Sequence, residues 1–217
     1  MTHFRCYHRS MRRIVVTLLC LLPATAFADP CPRGQERAAG GDLDAAIQAY
    51  SGCLKAGLPQ DEKLAAYLAR GDLYVLDGRF LEARMDYDVV LAIDPLHSEG
   101  YLRLARLHAL EGSHTAAVDA ANQAIRLNPD NIAAYRRRAL SRIAQGTPWP
   151  AFDDLNLVLE RDPGDWEARL ARAEILRAMG EPEQALDDVG AVLSAHPNNQ
   201  TALFQRDLLL GILGRDQ

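Results

Sequence analysis

The sequence predicts an all-α fold in which one helix–turn–helix unit is repeated along the chain. Residues of the same kind recur every 34 positions, a period typical of repeat architectures. Between them, apolar residues recur at helical spacing, as at Val89, Val90 and Ile93. Aromatic residues make up only 6% of the chain and alanine is abundant, which favours close-packed helices over sheets. Because one such unit cannot bury its apolar face alone, an α-solenoid of stacked units is expected.

Five columns of residues carry the period through four consecutive units. Each proline follows an apolar helical stretch and ends it, because proline disfavours helix in the residue before it. Each glycine ends the first helix of a pair, where a left-handed conformation costs glycine least. A column of small residues lets the two helices of a pair approach closely. The columns are Pro95, Pro129, Pro163 and Pro197; Gly78, Gly112, Gly146 and Gly180; Ala83, Ala117, Ala151 and Ala185; Gly71, Ala105, Ala139 and Ala173; and Leu91, Ile125, Leu159 and Leu193.

These columns resemble those of the tetratricopeptide-repeat (TPR) family. Four full repeats are predicted, at 64–97, 98–131, 132–165 and 166–199. The first has the family's aromatic, glycine, alanine and proline residues at Tyr67, Gly71, Tyr74, Gly78, Ala83, Tyr87 and Pro95. Later repeats replace some aromatic residues, as at Arg142 and Arg169. The resemblance implies a TPR-type right-handed α-solenoid of helix–turn–helix repeats.

Both ends of the predicted TPR domain, 29–217, depart from the full repeat. Residues 31–60 resemble the second half of a TPR unit, preceded by a short first helix at about 34–39. Residues 200–213 are predicted to form a capping helix. End repeats of a solenoid have only one neighbour and fray more readily, so both ends need extra stabilisation.

Export is predicted by the N-terminal segment 1–28. Four arginines come first, a short apolar run follows, and an Ala-Phe-Ala sequence closes it. This order is typical of a secretory signal peptide. Cleavage is expected after Ala28, with either Met1 or Met11 as the start. A retained membrane tether is the alternative, although the apolar run is about half the roughly 20 residues that a membrane span needs.

Loss of that segment would leave an acidic chain with two cysteines. Of 24 basic residues four leave with the segment, so 20 remain against 29 acidic ones, a net charge of −9. Such a chain is a poor candidate for general nucleic-acid binding, and no stable membrane insertion is expected after cleavage. In an oxidising compartment Cys31 and Cys53 are expected to form a disulfide. The alternative is a free Cys31 and a Cys53 that is only a small buried residue.

The sequence contains no recognisable motif of an enzyme, a nucleotide site or a metal site. No catalytic residue, metal or cofactor is therefore predicted, and an enzyme without a recognisable motif remains a remote alternative. The acidic pairs Asp153–Asp154 and Asp187–Asp188 are interpreted as parts of a solvated helix face, since adjacent side chains on a helix diverge.

A binding groove is implied by the resemblance, because in TPR proteins the first helices line a concave groove that ligands contact. Four arginines stand at such positions on two consecutive first helices: Arg103, Arg106, Arg136 and Arg137. They are predicted to hold acidic or carboxylate groups of a protein or peptide through charge-assisted hydrogen bonds. The alternative is pairing within the chain, of Asp72 with Arg103 and of Glu174 with Arg137.

Two tryptophans, Trp149 and Trp166, lie near helix starts in the third and fourth full repeats. Both are expected to pack within the fold, with a role as binding hot spots as the alternative. The predicted function is that of a non-catalytic scaffold or adaptor of the cell envelope that binds a peptide or protein segment in its concave groove, with the periplasm as the expected location. A membrane-tethered assembly factor is the alternative.

Overall fold

The computed structural model describes residues 31–215. The predicted signal peptide, its cleavage after Ala28 and the choice between Met1 and Met11 lie outside the described residues. Within 31–215 the secondary structure is helical, and no helix there is long and apolar enough to cross a membrane. The helices are α1 (Pro32–Ala39), α2 (Leu43–Ala56), α3 (Gln60–Leu76), α4 (Phe80–Ile93), α5 (Ser98–Leu110), α6 (His114–Leu127), α7 (Ile132–Ala144), α8 (Pro148–Arg161), α9 (Trp166–Ala178), α10 (Pro182–Ala195) and α11 (Gln200–Ile212).

The chain divides into two compact units, and the division falls within α5, between Arg103 and Leu104. In the first unit α1 packs on α2, α2 on α3, and α3 on α4. In the second unit α7 packs between α6 and α8, α9 between α8 and α10, and α11 against both α10 and α9. The predicted all-α fold of helix–turn–helix repeats with a C-terminal capping helix is confirmed.

Helix ends follow the repeat because the same backbone groups need partners in each unit. The predicted glycine column ends the first helices in the left-handed region, with φ of 78° at Gly78 and 81° at Gly180. A second column, which the sequence analysis did not single out, begins the first helices. Side chains of that column accept a hydrogen bond from the backbone N–H three residues on: His97, Asn131, Asp165 and Asn199.

Gly71 is required by the close approach of α3 and α4. A Cβ atom built at this residue would lie 2.4 Å from the ring of Tyr87. The same relation joins Gly34 of α1 to Tyr50 of α2, where the distance would be 2.5 Å. The α1–α2 pair is therefore a repeat with a shortened first helix. It is offset from the next by 37 residues, because α3 has 17 residues where the later first helices have 13.

Cys31 and Cys53 are joined by a disulfide that ties the start of α1 to the C-terminal part of α2, with their Cα atoms 6.1 Å apart. Cys31 is buried in a cluster that includes Ile47, Tyr50 and Leu73. The bond therefore closes the N-terminal end of the first unit, where α1 has only eight residues with which to pack.

Buried ion pairs recur within the helix pairs. Arg138 donates two hydrogen bonds to Asp154, of 2.9 and 2.6 Å, and Arg172 binds Asp188 in the same manner, at 2.7 Å for both bonds. Both aspartates are buried. The interpretation of Asp154 and Asp188 as part of a solvated face is therefore wrong, because arginines sixteen residues earlier compensate the buried charge.

Each of these arginines also reaches the second helix of the preceding repeat. Arg70, which binds Asp86, donates to the Ser51 hydroxyl at 2.9 Å. Arg138 and Arg172 donate from the same nitrogen to the side-chain oxygens of Asn122 and Asn156. One guanidinium thus joins three consecutive helices, which is a bond pattern that only arginine, with its planar set of five donors, can make.

Arg142 and Arg169, which replace aromatic residues of the TPR pattern, take part in the same networks. Arg142 binds Asp154 at 2.8 Å, and Arg169 binds Asp188 at 3.1 Å. In the repeat that keeps both aromatic residues, Tyr67 and Tyr74 instead lie beside Arg70, with ring centroids 5.4 and 5.8 Å from its guanidinium carbon. Arginine and tyrosine are thus alternative neighbours of the buried pair.

Candidate binding groove

The second unit has a groove on the side of its first helices. It runs between α7, α9 and α11, and its lining residues are Leu140, Trp166, Glu167, Leu170, Ala171, Glu174, Thr201 and Gln205. We call this surface the second-unit groove. Its lining combines the apolar side chains of Leu140, Trp166, Leu170 and Ala171 with the carboxylates of Glu167 and Glu174, a combination suited to a peptide that has both apolar and ionic side chains.

Arg137 lies one helical turn before Leu140 on α7 and is half-buried. Burial lowers the pKa of its guanidinium, and the positive charges of Arg106 and Arg136 lower that pKa further, while Glu167 only partly opposes them. No carboxylate among residues 31–215 forms an ion pair with Arg137 or with the exposed Arg106. The repulsion between Arg106 and Arg137 is thus only partly offset within residues 31–215, which favours the binding of an anion.

Arg136, although next to Arg137 in sequence, is already paired. Its Nη1 lies 2.7 Å from the buried carboxylate of Asp165, and its Nε lies 3.7 Å from Glu167. Asp165 also accepts the backbone N–H of Ala168 and so caps α9. This arginine therefore links α7 to the start of α9, and it is not available to a ligand without breaking that link.

Arg103 belongs to the first unit and is also paired. It binds Asp72 at 2.9 Å and Glu99 one helical turn earlier. The hydroxyl of Tyr87 donates to the other oxygen of Asp72 at 2.8 Å. Burial acts to lower the pKa of Arg103, but Asp72 and Glu99 outweigh burial and raise this pKa above its ordinary value. Arg103 is therefore held as an internal cation of the first unit.

The four arginines predicted to act together thus differ in their surroundings. Pairing within the chain, which was the alternative, occurs between Asp72 and Arg103 as expected. The other expected pair is not formed, since the described residues show no ion pair between the exposed Glu174 and Arg137. Of the predicted set, Arg106 and Arg137 are the two whose charges remain available in the second unit.

The two tryptophans are also in different places. Trp166 opens α9 and lines the second-unit groove, and its ring meets His196 edge-on with centroids 6.5 Å apart. Trp149 lies on α8, a second helix, and 64% of its surface is exposed. The expectation that both pack inside the fold is wrong, because α8 turns Trp149 outward and 40% of Trp166 is exposed beside the groove.

Sequence reasoning missed the apolar part of the groove. Leu140 occupies the same column of the first helices as Asp72, Arg106 and Glu174, which follow one another at intervals of 34 residues. A leucine between the charged residues Arg106 and Glu174 of this column was the available signal. Within residues 31–215 no three His, Cys, Asp or Glu side chains are grouped so that they could hold a metal ion.

A sequence profile indicates the tetratricopeptide-repeat family. The profile of the tetratricopeptide repeat matches residues 31–96 and 86–132. The first match begins at Cys31 and therefore includes the disulfide-linked α1–α2 pair. Comparison with curated proteins gives no match.

Solved structures with the same fold cover most of the chain. A tetratricopeptide repeat protein from Parabacteroides merdae has 19% identity and a TM-score of 0.70, over 86% of this chain and 73% of its own. PilF from Pseudomonas aeruginosa has 14% identity and a TM-score of 0.74, over 96% and 87%. YrrB, described as a TPR protein with an unusual peptide-binding site, has 18% identity and a TM-score of 0.62, over 82% and 90%. The predicted TPR-type α-solenoid fold is thereby confirmed.

Proposed function

Because this chain belongs to the tetratricopeptide-repeat family, we propose that it is a non-catalytic scaffold that binds a segment of another protein in the second-unit groove. The fold class supports binding of proteins or peptides in general. The choice of this groove depends on its own residues, since one fold serves many unrelated functions.

The observation that carries the proposal is the pair of Arg106 and Arg137, for which residues 31–215 supply no ion-pair partner and whose repulsion Glu167 offsets only in part. Two neighbouring guanidinium groups without an acidic partner are costly, and the cost grows as burial removes water from around them. A carboxylate placed between them would accept hydrogen bonds from both and would remove the repulsion. The ligand is therefore a segment with an acidic side chain or a free C-terminal carboxylate.

The chemistry of the rest of the ligand follows from the apolar residues that line the groove. Leu140, Leu170 and Ala171 are the aliphatic residues of its lining, and the exposed Trp166 adds an aromatic face. Tryptophan in such a position frequently contributes much of the binding energy. A segment that carries an apolar side chain near its acidic group would satisfy both parts of the groove.

The proposed location is the periplasm, after removal of residues 1–28. The Cys31–Cys53 disulfide supports an oxidising compartment, because such bonds persist outside the cytosol and are rare within it. Mass spectrometry of the exported protein tests this proposal. A chain that begins at Asp29 with both cysteines oxidised is expected, whereas a chain that keeps its N-terminal segment would favour the membrane-tethered assembly factor.

The binding proposal is tested with Arg106→Glu/Arg137→Glu. The matched control is Arg126→Glu/Arg161→Glu, which makes the same change of charge at exposed residues of the second helices α6 and α8. The native protein and both variants are used to capture envelope proteins, and captured segments are then measured as synthetic peptides by titration calorimetry. Circular dichroism establishes that each variant keeps its helices.

A segment that binds the native protein and the control is expected to bind the Arg106/Arg137 variant at least about tenfold more weakly, since hydrogen bonds to charged groups contribute roughly 1.5–3 kcal/mol. Neutralising the acidic group of the peptide should weaken its binding to the native protein similarly. Equal binding by all three proteins would show that Arg106 and Arg137 do not contribute to binding. It would point instead to the second-helix face around Trp149.

A further inference from the structure

One column of the first helices changes its chemistry from helix to helix across the second unit. It contains Arg106 on α5, Leu140 on α7, Glu174 on α9 and Leu208 on α11. Leu140 and Glu174 both line the second-unit groove. In the order of the helices from α5 to α9, the column therefore presents a cation, an apolar side chain and an anion.

The charges at the two ends of this series do not neutralise each other. Glu174 is exposed, and among residues 31–215 it forms no ion pair with Arg137 or with Arg177, one helical turn later on α9. Arg106 is also exposed and has no ion-pair partner in the same range. A groove that holds unpaired charges of both signs at separate places is complementary to a ligand that carries both signs in the matching order.

The spacing of the first helices suits an extended peptide that crosses them. Arg136 joins α7 to Asp165 at the start of α9, and burial together with the nearby charge of Arg106 on α5 lowers the pKa of Arg137 on α7. An acidic group between α5 and α7 would lie one and a half helix spacings from a basic group at α9, or about 12–15 Å. Four residues of an extended chain span about 13 Å, and alternate side chains point to the same side. Acidic, apolar and basic residues at alternate positions of a peptide would thus reach the three parts of the column in turn.

We propose that the ligand of the second-unit groove is an extended segment in which an acidic, an apolar and a basic side chain occupy alternate positions. The acidic side chain binds Arg106 and Arg137. The apolar one packs on Leu140, and the basic one pairs with Glu174. This inference rests on the proposed binding of a protein segment in the groove, and it adds to that segment a second charge and an order. A purely acidic segment is disfavoured, because it would place a like charge beside Glu174.

Glu174 differs in its surroundings from Glu167, the other carboxylate of the groove. Glu167 is half-buried and lies 3.7 Å from the Nε of Arg136, and its charge also acts on Arg137. Glu174 lies about two helical turns later on α9 and is fully accessible to a ligand. The basic side chain of the ligand is therefore assigned to Glu174, since Glu167 already has cations of the chain beside it.

Selection from a displayed library of random twelve-residue peptides tests this inference. The native protein is expected to enrich peptides with an acidic, an apolar and a basic residue at alternate positions. Glu174→Lys should instead enrich peptides with an acidic residue at both ends of that pattern. The matched control, Glu160→Lys, makes the same change of charge at an exposed residue of the second helix α8 and should select as the native protein does. Circular dichroism establishes that both variants keep their helices.

Titration calorimetry with an enriched peptide measures the pairing with Glu174. Replacing the basic residue of the peptide by glutamate should weaken its binding to the native protein at least about threefold, which is within the range of an exposed ion pair. The same replacement should strengthen its binding to Glu174→Lys. Peptides that need their acidic residue but bind equally well without the basic one would overturn this inference and leave the proposed function in place. Enrichment of no peptide, or only of peptides without an acidic residue, would overturn both.

Discussion

The buried arginine–aspartate pairs show how one residue position can depend on another. Three repeats contain such a pair: Arg70 with Asp86, Arg138 with Asp154, and Arg172 with Asp188. In the repeat at 98–131 both positions change together, to Leu104 and Ala120, which pack in one apolar cluster. A buried charge without its partner is strongly destabilising, whereas an apolar pair can take the place of both.

The first prediction at this scale concerns Arg70 and Asp86. We expect Arg70→Leu to lower the free energy of unfolding by about 3–5 kcal/mol, because it leaves the Asp86 carboxylate buried without its partner. Arg70→Leu/Asp86→Ala, which copies the residues found at 104 and 120, should recover most of that loss. Urea denaturation of the two variants measures the difference. A double variant as unstable as the single one would contradict this account.

The second prediction concerns Ser141, which is buried in a column occupied elsewhere by Leu73, Leu107, Ile175 and Leu209. Its hydroxyl has no hydrogen-bond partner within the described part of the chain. We expect Ser141→Ala to raise the free energy of unfolding by about 1 kcal/mol, because an unpartnered buried hydroxyl is unfavourable. Thermal denaturation is compared with that of Ser194→Ala, whose exposed hydroxyl is bonded to the Gly190 carbonyl and whose loss should change little. A less stable Ser141→Ala would argue against the prediction.

At the scale of elements, the α1–α2 pair illustrates how a weak end is stabilised. Helix α1 has eight residues and, among the described helices, packs mainly on α2, yet it keeps the Gly34–Tyr50 contact of a full repeat. Isolated helices of this length are unstable in water. The Cys31–Cys53 disulfide restrains α1 covalently where apolar burial is small.

The prediction for this element is that Cys31→Ser/Cys53→Ser destabilises the N-terminal end. A disulfide closing a loop of this size contributes roughly 3 kcal/mol. Since repeats contact only their neighbours, the loss should appear first in α1 and α2. Hydrogen exchange should show faster exchange of amides there, with amides of α9 and α10 nearly unchanged. Unaltered exchange in α1 would mean that apolar packing is sufficient for this end.

At the scale of the whole molecule, the repeated first helices serve several purposes with one set of columns. Within the second unit, one column lines the groove at Leu140 and Glu174, and on α11 the same column places the exposed Leu208. A groove built from repeated columns can therefore differ in chemistry from one first helix to the next.

The repeat architecture follows from the sequence alone. Proline and glycine act on their own backbone, and a 34-residue period repeats that action, so helix ends at Gly78 or before Pro95 could be predicted locally. The 34-residue period alone could not place the α1–α2 pair, because that pair is offset from the next repeat by 37 residues. The candidate site was predicted in part, since the helices that carry the arginines were identified but their partners were not.

Only the tertiary structure decided which charges are satisfied. Asp154 and Asp188 look like solvated residues until Arg138 and Arg172 are seen beside them, and Arg136 looks available until Asp165 is found 2.7 Å away. Arg137, next to Arg136 in sequence, has no such acid within residues 31–215. The sequence determined where helices begin and end, because those choices depend on neighbouring residues. Whether a charge is compensated depends on side chains brought together from different helices, and that required the fold.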